Sequence, residues 1–410
     1  MDSRGSARLH GRIIVRGPLA AFADGLRGEL AGHGYALDTV CDHVRLLADL
    51  SGWLDGQDLT AADLTTQKAD EFLLDRRRRG HRIALSPRAI APILGYLRHL
   101  QVAPPPIPPV PVTPEEMLLA GYRDYLSGER GVSAGTVTHY LRCARVFLHA
   151  LPGQLDAALA ELSAAHGTGY VLAWAERRQG KAPDLVTLPA LRSLLRYLHV
   201  AGLIAAPLAG AVPAGRGYPR PALPRAASAV QVRAVLASCD RGCAAGRRDY
   251  AILLAMARLA LRGGEVARLQ LPDIDWRAAE VRIRGKGGRT DKLPLPADVG
   301  EAMASYVMDA RPATTSRHLF VTMVAPFTGL ATSSITAIAG RACARAGVPR
   351  FGPHGMRHAA ACELLAGGAS MEEIGQLLRH AHERTTAIYA KVDQARLTGL
   401  AMPCPQGAAR

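Results

Sequence analysis

The C-terminal half of the 410-residue sequence carries a series of cationic side chains that ends in a phenol. In chain order its members are Arg262, Lys286, His354, Arg357, His380 and Tyr389. Guanidinium, ammonium and imidazolium groups donate hydrogen bonds to anionic oxygens, and a phenol that loses its proton becomes a nucleophile. The series is therefore a candidate anion-binding site with a nucleophile at its end.

Each member of the series also has an ordinary structural explanation. His354 and Arg357 are three residues apart, so they share a helix face and either face one anion or form a surface pair. Arg262 follows an apolar segment and needs an anionic partner there. Glu265 either neutralises that guanidinium or orients it for a ligand. Lys286 lies among glycines, where a lysine is often only an exposed loop residue.

The elements that must position these residues are predicted to be mixed α and β. The segment from Arg247 to Leu261 is strongly apolar and predicts a core helix. Paired glycines end it directly after Arg262, and a second short helix follows. Residues 280–284 and 292–296 alternate between apolar and polar around a glycine-rich turn, which predicts a β-hairpin with Lys286 at its tip.

From Pro353 onward the pattern is helical. Ser370 and Glu373 have the spacing of a capping box and predict the start of a further helix. Tyr389, taken alone, is explained as a helix tyrosine half-buried beside Ile388 and Val392. Only the rest of the series favours the nucleophile.

Two proline-rich segments, 103–114 and 205–225, divide the sequence into three predicted domains. These are a first module (1–102), a second module (115–204) and a third block (226–402). Apolar residues recur at three- and four-residue steps in both modules, which predicts helices. The predicted fold class is mainly α with a small β-sheet, and that sheet lies in the mixed α/β third block.

The first two modules resemble each other weakly. Thr39-Val40 and Arg45 correspond to Thr136-Val137 and Arg142 at a shift of 97 residues, and Leu94, Tyr96 and Leu97 correspond to Leu195, Tyr197 and Leu198 at a shift of 101. We interpret this as a tandem duplication of one helical module. The alternative is chance similarity between two amphipathic, Leu- and Ala-rich segments.

The charge balance indicates a polyanionic partner. Fifty Lys and Arg against 35 Asp and Glu give a formal charge of +15, so nucleic acid is the first candidate and an acidic membrane surface the second. Two groups of arginines are candidate phosphate contacts, and either group could equally be a solvated helix surface. They are Arg76, Arg77, Arg78 and Arg79 in the first module and Arg142 and Arg145 in the second.

Several protein classes are disfavoured. The first twelve residues lack the apolar core of a signal peptide. The longest uncharged stretch, Leu319 to Gly340, contains Pro326 and Gly329 and is interpreted as strand, turn and helix rather than a membrane span. Seven scattered cysteines do not indicate a disulfide framework, and the close pair Cys239 and Cys243 lacks further ligands at metal spacing. We expect no metal and a reducing cytoplasm.

Residues 226 to 395 resemble the catalytic domain of the tyrosine recombinases, also called the phage integrase family. Five motifs occur in the family's order: LALRGGEVARL, GKGGRTDKLPL, HGMRH, LLRHAH and the tyrosine segment TTAIYAKV. They place Arg262, Glu265, Lys286, His354, Arg357, His380 and Tyr389 on the family's functional positions, with His380 nine residues before Tyr389. This sequence departs from the family at Ala260 and Arg379, where glycine is usual.

The resemblance implies a chemistry. Arg262 and Arg357 would bind the non-bridging oxygens of a phosphodiester, with help from His354 and His380. Tyr389 would attack phosphorus and Lys286 would protonate the departing 5′-oxygen. The 3′-phosphotyrosine link retains the phosphodiester energy, so neither metal nor ATP is implied as a cofactor. Arg379 would add charge beside the site and contact DNA.

The implied function is site-specific recombination of double-stranded DNA by a cytoplasmic, nucleoid-associated enzyme of a mobile genetic element. The second module resembles the family's core-binding domain. A stripe of Val392, Leu397 and Leu400 would pack against a neighbouring protomer in a tetramer on DNA. Partner recombinases are further candidate partners. A type IB topoisomerase-like activity and an inactive DNA-binding assembly factor remain alternative functions.

Overall fold

The computed structural model describes residues 13–106, 111–177, 187–212, 227–285 and 289–379. Judged by Cα proximity, these residues form two compact units. One unit contains the described residues of Met1–Pro106 and Leu223–Arg410, and the other those of Ile107–Ala222. Helices predominate in both, and a three-stranded antiparallel sheet lies in the first unit. The predicted fold class is confirmed, while the three domain boundaries stay predictions.

The described part of the first module is helical. Its helices are α1 (Ala23–Gly32), α2 (Leu37–Asp55), α3 (Thr66–Arg78) and α4 (Pro87–His99). The Thr65 hydroxyl accepts a hydrogen bond from the Lys68 backbone N–H and so caps α3, and a proline opens α4 where no N–H is needed. The apolar faces meet in one cluster in which Leu26, Leu47 and Leu97 are fully buried.

The second compact unit is also helical. Its helices are α5 (Pro114–Asp124), α6 (Ala134–Leu148), α7 (Leu155–Ala160), α8 (Ala164–Arg177) and α9 (Thr187–Val200), with a π-helical turn at Tyr125–Glu129. Thr113 and Glu116 form a reciprocal capping box at the start of α5. Tyr122 and Leu194 are fully buried in the cluster that these helices enclose.

The same close contact between a glycine and a tyrosine occurs in both helical modules. A Cβ placed on Gly25 of α1 would lie 1.9 Å from the hydroxyl oxygen of Tyr96 in α4. A Cβ placed on Gly121 of α5 would lie 2.3 Å from the hydroxyl oxygen of Tyr197 in α9. Tyr96 and Tyr197 correspond at the 101-residue shift, so this contact supports the duplication hypothesis.

The third block is built around a buried helix and a small sheet. Its helices are α10 (Ala229–Ala237), α11 (Ala244–Arg258), α12 (Gly263–Arg268), α13 (Ala297–Asp309), α14 (Thr332–Arg345), α15 (Pro353–Ala366) and α16 (Met371–Leu378), and its strands are β1 (Ile274–Asp275), β2 (Glu280–Arg284) and β3 (Thr290–Pro294). Helix α11 packs against α13, α14 and α15. Its residues Ile252, Leu253 and Met256 are fully buried.

Helix α11 ends at Arg258, three residues before the predicted end at Leu261. Ala260 has φ +49°, in the left-handed region, and a helix cannot continue through that conformation. The chain therefore turns within Leu259 to Leu261 and starts α12 directly after Arg262. The periodicity of apolar residues could not reveal this turn, because Leu259, Ala260 and Leu261 are all buried.

The predicted hairpin is confirmed, but its second strand lies at Thr290–Pro294, two residues earlier than the predicted 292–296. Val281 lies opposite Leu293 and Arg284 opposite Thr290 in the antiparallel β2–β3 ladder. The strand β1, which pairs with β2 at Ile274 and Val281, was not predicted. It has only two residues, too few for an alternating pattern to be recognised.

The predicted cap at Ser370 is also confirmed. Ser370 caps α16 with Glu373 through a reciprocal pair of hydrogen bonds, and Ser228 and Gln231 form the same arrangement at the start of α10. Within the described residues, no helix combines the length and the apolar surface that a bilayer crossing requires.

The glycine contact in α1 generates a stability prediction. We expect Gly25→Ala to lower the free energy of unfolding by about 1–3 kcal/mol, because the new methyl group overlaps the Tyr96 hydroxyl. Gly28→Ala, on the same helix with nothing within 4 Å of its added Cβ, should raise it by roughly 0.5–1 kcal/mol through helix propensity alone. Denaturant unfolding of the two variants checks this, and equal stability of the two would contradict it.

Candidate active site

The turn at Ala260 brings Arg262 to the start of α15. Arg262 is the N-cap residue of α12 and is followed by Gly263. A Cβ on Gly263 would lie 3.1 Å from Cγ of Pro353, the first residue of α15. The ends of these two helices therefore lie close together, which brings the first and third motifs of the series next to each other. His354, which directly follows Pro353, is exposed.

Glu265 accepts hydrogen bonds from both the side chain and the backbone of Arg262. Arg262 Nη1 lies 2.7 Å from Glu265 Oε1, and the Arg262 backbone nitrogen lies 2.8 Å from Oε2. The Glu265 side chain is only 2% exposed, whereas that of Arg262 is 36% exposed. The carboxylate thus orients a guanidinium that still reaches solvent.

Arg379 donates to the same carboxylate from the other side. Its Nη2 lies 2.7 Å from Glu265 Oε2, and its side chain is 5% exposed. Its Nη1 donates to the Leu377 carbonyl at 2.9 Å, and its Nε is buried with no hydrogen-bond partner among the described residues. The Arg379 guanidinium is therefore buried within the site and paired with Glu265, and its predicted contact with DNA stays a prediction.

Arg357 ties the same elements together from α15. It is buried, and its Nη1 donates to the Ala260 carbonyl at 2.5 Å. Its Nη2 donates to the Leu378 carbonyl. Arg357 therefore joins the turn before Arg262 to the residue before Arg379. Three stretches that are far apart in sequence meet at this point.

The electrostatics of the site follow from these contacts. Burial raises the pKa of Glu265, but the Arg262 backbone N–H and the charges of Arg379 and Arg262 outweigh it, so this pKa lies below its usual value of 4.5. The pKa of His358 is lowered, first by burial and then by the positive charges of His354 and Arg357. The cations beside Glu265 therefore favour its ionised form.

Three predicted members of the site lie outside the described residues. These are Lys286, His380 and Tyr389. In sequence, Lys286 lies between the end of β2 and the start of β3, and His380 directly follows Arg379. Among the residues that the structure does describe, no group of three or more His, Cys, Asp or Glu side chains could hold a metal ion.

The four arginines at the end of α3 do not form one exposed run. The Arg76 side chain is 6% exposed, pairs with Asp49, and lies over the Phe72 ring at 5.7 Å, so it is a core residue. Arg77 and Arg78 are exposed, and Arg77 Nη2 donates to the Leu85 carbonyl at 2.7 Å. Arg79, also exposed, pairs with Asp75 at 2.8 Å.

The two candidate arginines of α6 are exposed, as predicted for phosphate contacts or a solvated face. Arg142 lies 3.1 Å from the His139 ring nitrogen Nδ1. Arg145 lies 3.8 Å from a carboxylate oxygen of Glu115 and is 58% exposed. Neither contact removes its guanidinium from solvent.

Sequence reasoning missed the backbone groups that organise this site. The carbonyls of Ala260 and Leu378 accept from Arg357, and Ala260 and Arg379 both have left-handed backbones, with φ +49° and +50°. These two residues are also the two departures from the family pattern. The signal was therefore present, because glycine is the residue that such a backbone favours.

Known proteins are similar to this chain in sequence and in structure. Residues 227–396 match the phage integrase family. A protein of Sinorhizobium fredii named as integrase/recombinase y4rA is 39% identical over 394 residues, which is 95% of each chain. The tyrosine recombinase XerC of Rhizobium meliloti is 33% identical over 291 residues, 66% of this chain and 87% of that protein.

A solved structure shows the same fold. A lambda integrase dimer bound to a COC′ core site has a TM-score of 0.52 and 15% identity, covering 67% of this chain and 94% of that one. The sequence similarity to integrases and recombinases defines an enzyme of the class that breaks and rejoins DNA strands. The chain belongs to the phage integrase family, the tyrosine recombinases.

The left-handed turn generates a prediction about Ala260. Its backbone costs about 1–2 kcal/mol for a residue with a Cβ, so Ala260→Gly should be at least as stable as the parent although a buried methyl group is lost. Ala251→Gly, at a fully buried helical position of α11, should lose about 1 kcal/mol or more. Equal losses in denaturant unfolding would show that the turn stores no strain.

Proposed function

We propose that this protein is a site-specific DNA recombinase that acts through a 3′-phosphotyrosine intermediate at Tyr389. The observation that carries the proposal is the convergence of Arg262, Glu265 and Arg357 from separate stretches into one cationic site. Similarity to proteins named as integrases and recombinases over almost the whole chain supports it.

The proposed chemistry follows from the side chains. Arg262 and Arg357 bind the non-bridging oxygens of the scissile phosphate, where each positioned donor contributes about 3–4 kcal/mol to the transition state. His354 and His380 add hydrogen bonds. As the Tyr389 oxygen forms its bond to phosphorus, the bond from phosphorus to the 5′-oxygen breaks. Lys286 gives that oxygen its proton, and the reverse attack by a 5′-hydroxyl rejoins the strand.

The arrangement of the site supports this division of roles. Glu265 and two carbonyl oxygens fix the two guanidinium groups before any DNA is bound, so little reorganisation is needed when the phosphate arrives. Arg262 keeps more than a third of its side chain exposed, which gives a phosphate access to it. The proposal needs no resident metal, because the charge on the phosphate is met by side chains.

We further propose that duplex DNA is the partner and that recombination takes place in a homo-oligomer on it. Solved relatives of similar fold are titled as a dimer bound to a core site and as a transposon integrase bound to transposon right end DNA. A tetramer with the stripe of Val392, Leu397 and Leu400 exchanged between protomers remains our proposal for its form. These three residues lie outside the described ranges.

The exposed arginines of the first module are proposed as additional DNA contacts. Arg77, Arg78 and Arg79 are followed by exposed Arg82 and Arg88, and no Asp or Glu occurs between residues 76 and 114. This basic surface can neutralise phosphates on either strand without reading sequence. Arg76 is left out because its guanidinium is already paired and buried.

The nucleophile is tested with nicked suicide duplexes tiled across the DNA that flanks the gene. The parent protein should form a covalent protein–DNA band in EDTA, and Tyr389→Phe should form none. Tyr250→Phe is the matched control, since this tyrosine packs its ring under Arg241 at 4.7 Å and phenylalanine keeps that ring. A band from the Tyr389→Phe variant would assign the nucleophile elsewhere. Relaxation of plasmids that lack these flanking sequences would favour a topoisomerase.

The basic surface is tested by the salt dependence of DNA binding. Replacing Arg77, Arg78 and Arg79 by Gln should reduce the slope of log K against log salt by up to about 2.7, at about 0.9 per phosphate contact. The cleavage rate at saturating DNA should stay unchanged. A control that removes the same charge at exposed Arg16, Arg233 and Arg277 should change the slope less. Equal changes would show that net charge, not this surface, sets binding.

A further inference from the structure

We propose that Arg379 is a positioning residue of the active site, which holds the Glu265 carboxylate and, through it, the Arg262 guanidinium. The inference rests on the proposed function, because it concerns how the site binds its phosphate. It assigns a role to a residue that stands where the family usually has glycine.

The geometry shows one carboxylate held by three donors. Arg262 Nη1 donates to Glu265 Oε1 at 2.7 Å. The Arg262 backbone N–H and Arg379 Nη2 both donate to Glu265 Oε2, at 2.8 and 2.7 Å. Both Glu265 and Arg379 are at least 95% buried in their side chains. Because each oxygen has its own donor, the carboxylate cannot rotate without losing a charged hydrogen bond. The direction of the Arg262 guanidinium is therefore fixed.

The backbone of Arg379 is strained in a way that points to a role for its side chain. Its φ and ψ are both 50°, and it ends α16 in the left-handed region. Arginine has a Cβ and is not one of the residues, such as Asn or Asp, that favour this region. Such a conformation persists where surrounding contacts compensate for it. Here the side-chain contacts are the ion pair with Glu265 and the hydrogen bond to the Leu377 carbonyl.

The position also links the site to the segment that carries the predicted nucleophile. Leu378 accepts from Arg357, and Arg379, the next residue, donates to Glu265. The chain immediately before His380 is thus attached to Arg357 directly and to Arg262 through Glu265. A glycine at 379 would allow the same turn but would remove the second attachment.

The charge of Arg379 also keeps Glu265 ionised. Burial is the largest influence on the Glu265 pKa and raises it, whereas Arg379 supplies the first charge that lowers it. Without Arg379, the pKa of Glu265 therefore rises. The Glu265 carboxyl then becomes neutral at a higher pH, so its interaction with Arg262 weakens earlier as the pH is lowered.

Other charged groups on the neighbouring elements have partners of their own or are exposed. Arg258 at the end of α11 pairs with Asp298 of α13, and Arg284 of β2 pairs with Asp273. Arg268 of α12 donates to the Arg284 carbonyl. On α15, Arg357 donates to two carbonyls and His354 is exposed. His358 of α15 has a lowered pKa and so does not replace the lost charge at neutral pH. Among the residues that the structure describes, Arg262 alone would remain to oppose the effect of burial on the pKa of Glu265.

Three substitutions of Arg379 separate charge from backbone. Arg379→Met removes the charge and keeps a long side chain on the left-handed residue. Arg379→Gly removes the charge and relieves the backbone, so it folds even if the methionine variant does not. Arg379→Lys keeps the charge. The measurement is the single-turnover rate of covalent complex formation on the nicked duplex at saturating DNA, over a range of pH.

We expect the Met and Gly variants to react about tenfold more slowly at neutral pH, which is the effect of about 1.4 kcal/mol. The acidic side of their pH–rate profile should move to higher pH, since Glu265 is protonated at a higher pH. The Lys variant should recover most of the rate and keep the pH–rate profile of the parent protein. DNA affinity should not change in any variant, because the guanidinium is buried. In a Glu265→Gln background, Arg379→Met should have little further effect.

Two results would overturn the inference. In the first, the Met and Gly variants react at the parent rate at every pH. In the second, all three variants lose the same rate with an unshifted pH profile, which is the behaviour of a purely structural residue. A parent that forms no covalent complex on any flanking duplex would instead refute the proposed function itself, and the inference with it.

Discussion

The buried carboxylate of Glu265 is the interaction on which the site depends. It lies between two guanidinium groups, one at the start of α12 and one after α16, at 2.7 Å from each. A single negative charge in this place has two effects. It offsets part of the repulsion that three neighbouring arginines exert on each other, and it sets the direction of the one arginine that reaches solvent. Without it, Arg262 and Arg379 would bring uncompensated charge into a buried region.

The rest of the third block serves to bring that carboxylate and its partners together. Helix α11 provides a rigid buried core, the left-handed turn at Ala260 reverses the chain, and Gly263 lets α12 approach α15 closely. Arg357 then uses backbone carbonyls, which cannot titrate, as its acceptors. The same residues that close this corner of the fold therefore prepare an anion-binding surface, so stability and function are coupled here.

Much of this could be predicted from the sequence, because the relevant signals were local. The hairpin, the caps at Ser228 and Ser370 and the partnership of Arg262 with Glu265 all follow from spacing within a few residues. The burial of Arg76 and the placement of Arg379 could not be predicted in this way. Their partners, Asp49 and Glu265, are 27 and 114 residues distant, and a run of like charges looks the same whether one member points inward or not. The left-handed turn at Ala260 could not be recognised from periodicity, since its residues are uniformly apolar; the only sequence signal for it was the glycine that the family usually has at this position.

The close contacts of Tyr96 with Gly25 and of Tyr197 with Gly121 have a consequence beyond stability. In each module a larger residue in place of the glycine requires the tyrosine ring to move, and a shorter side chain in place of the tyrosine leaves the space above the glycine unfilled. We therefore expect substitutions at the two positions to be coupled. A glycine in the opening helix and a tyrosine in the closing helix form a two-residue pattern for which other chains with such modules can be searched.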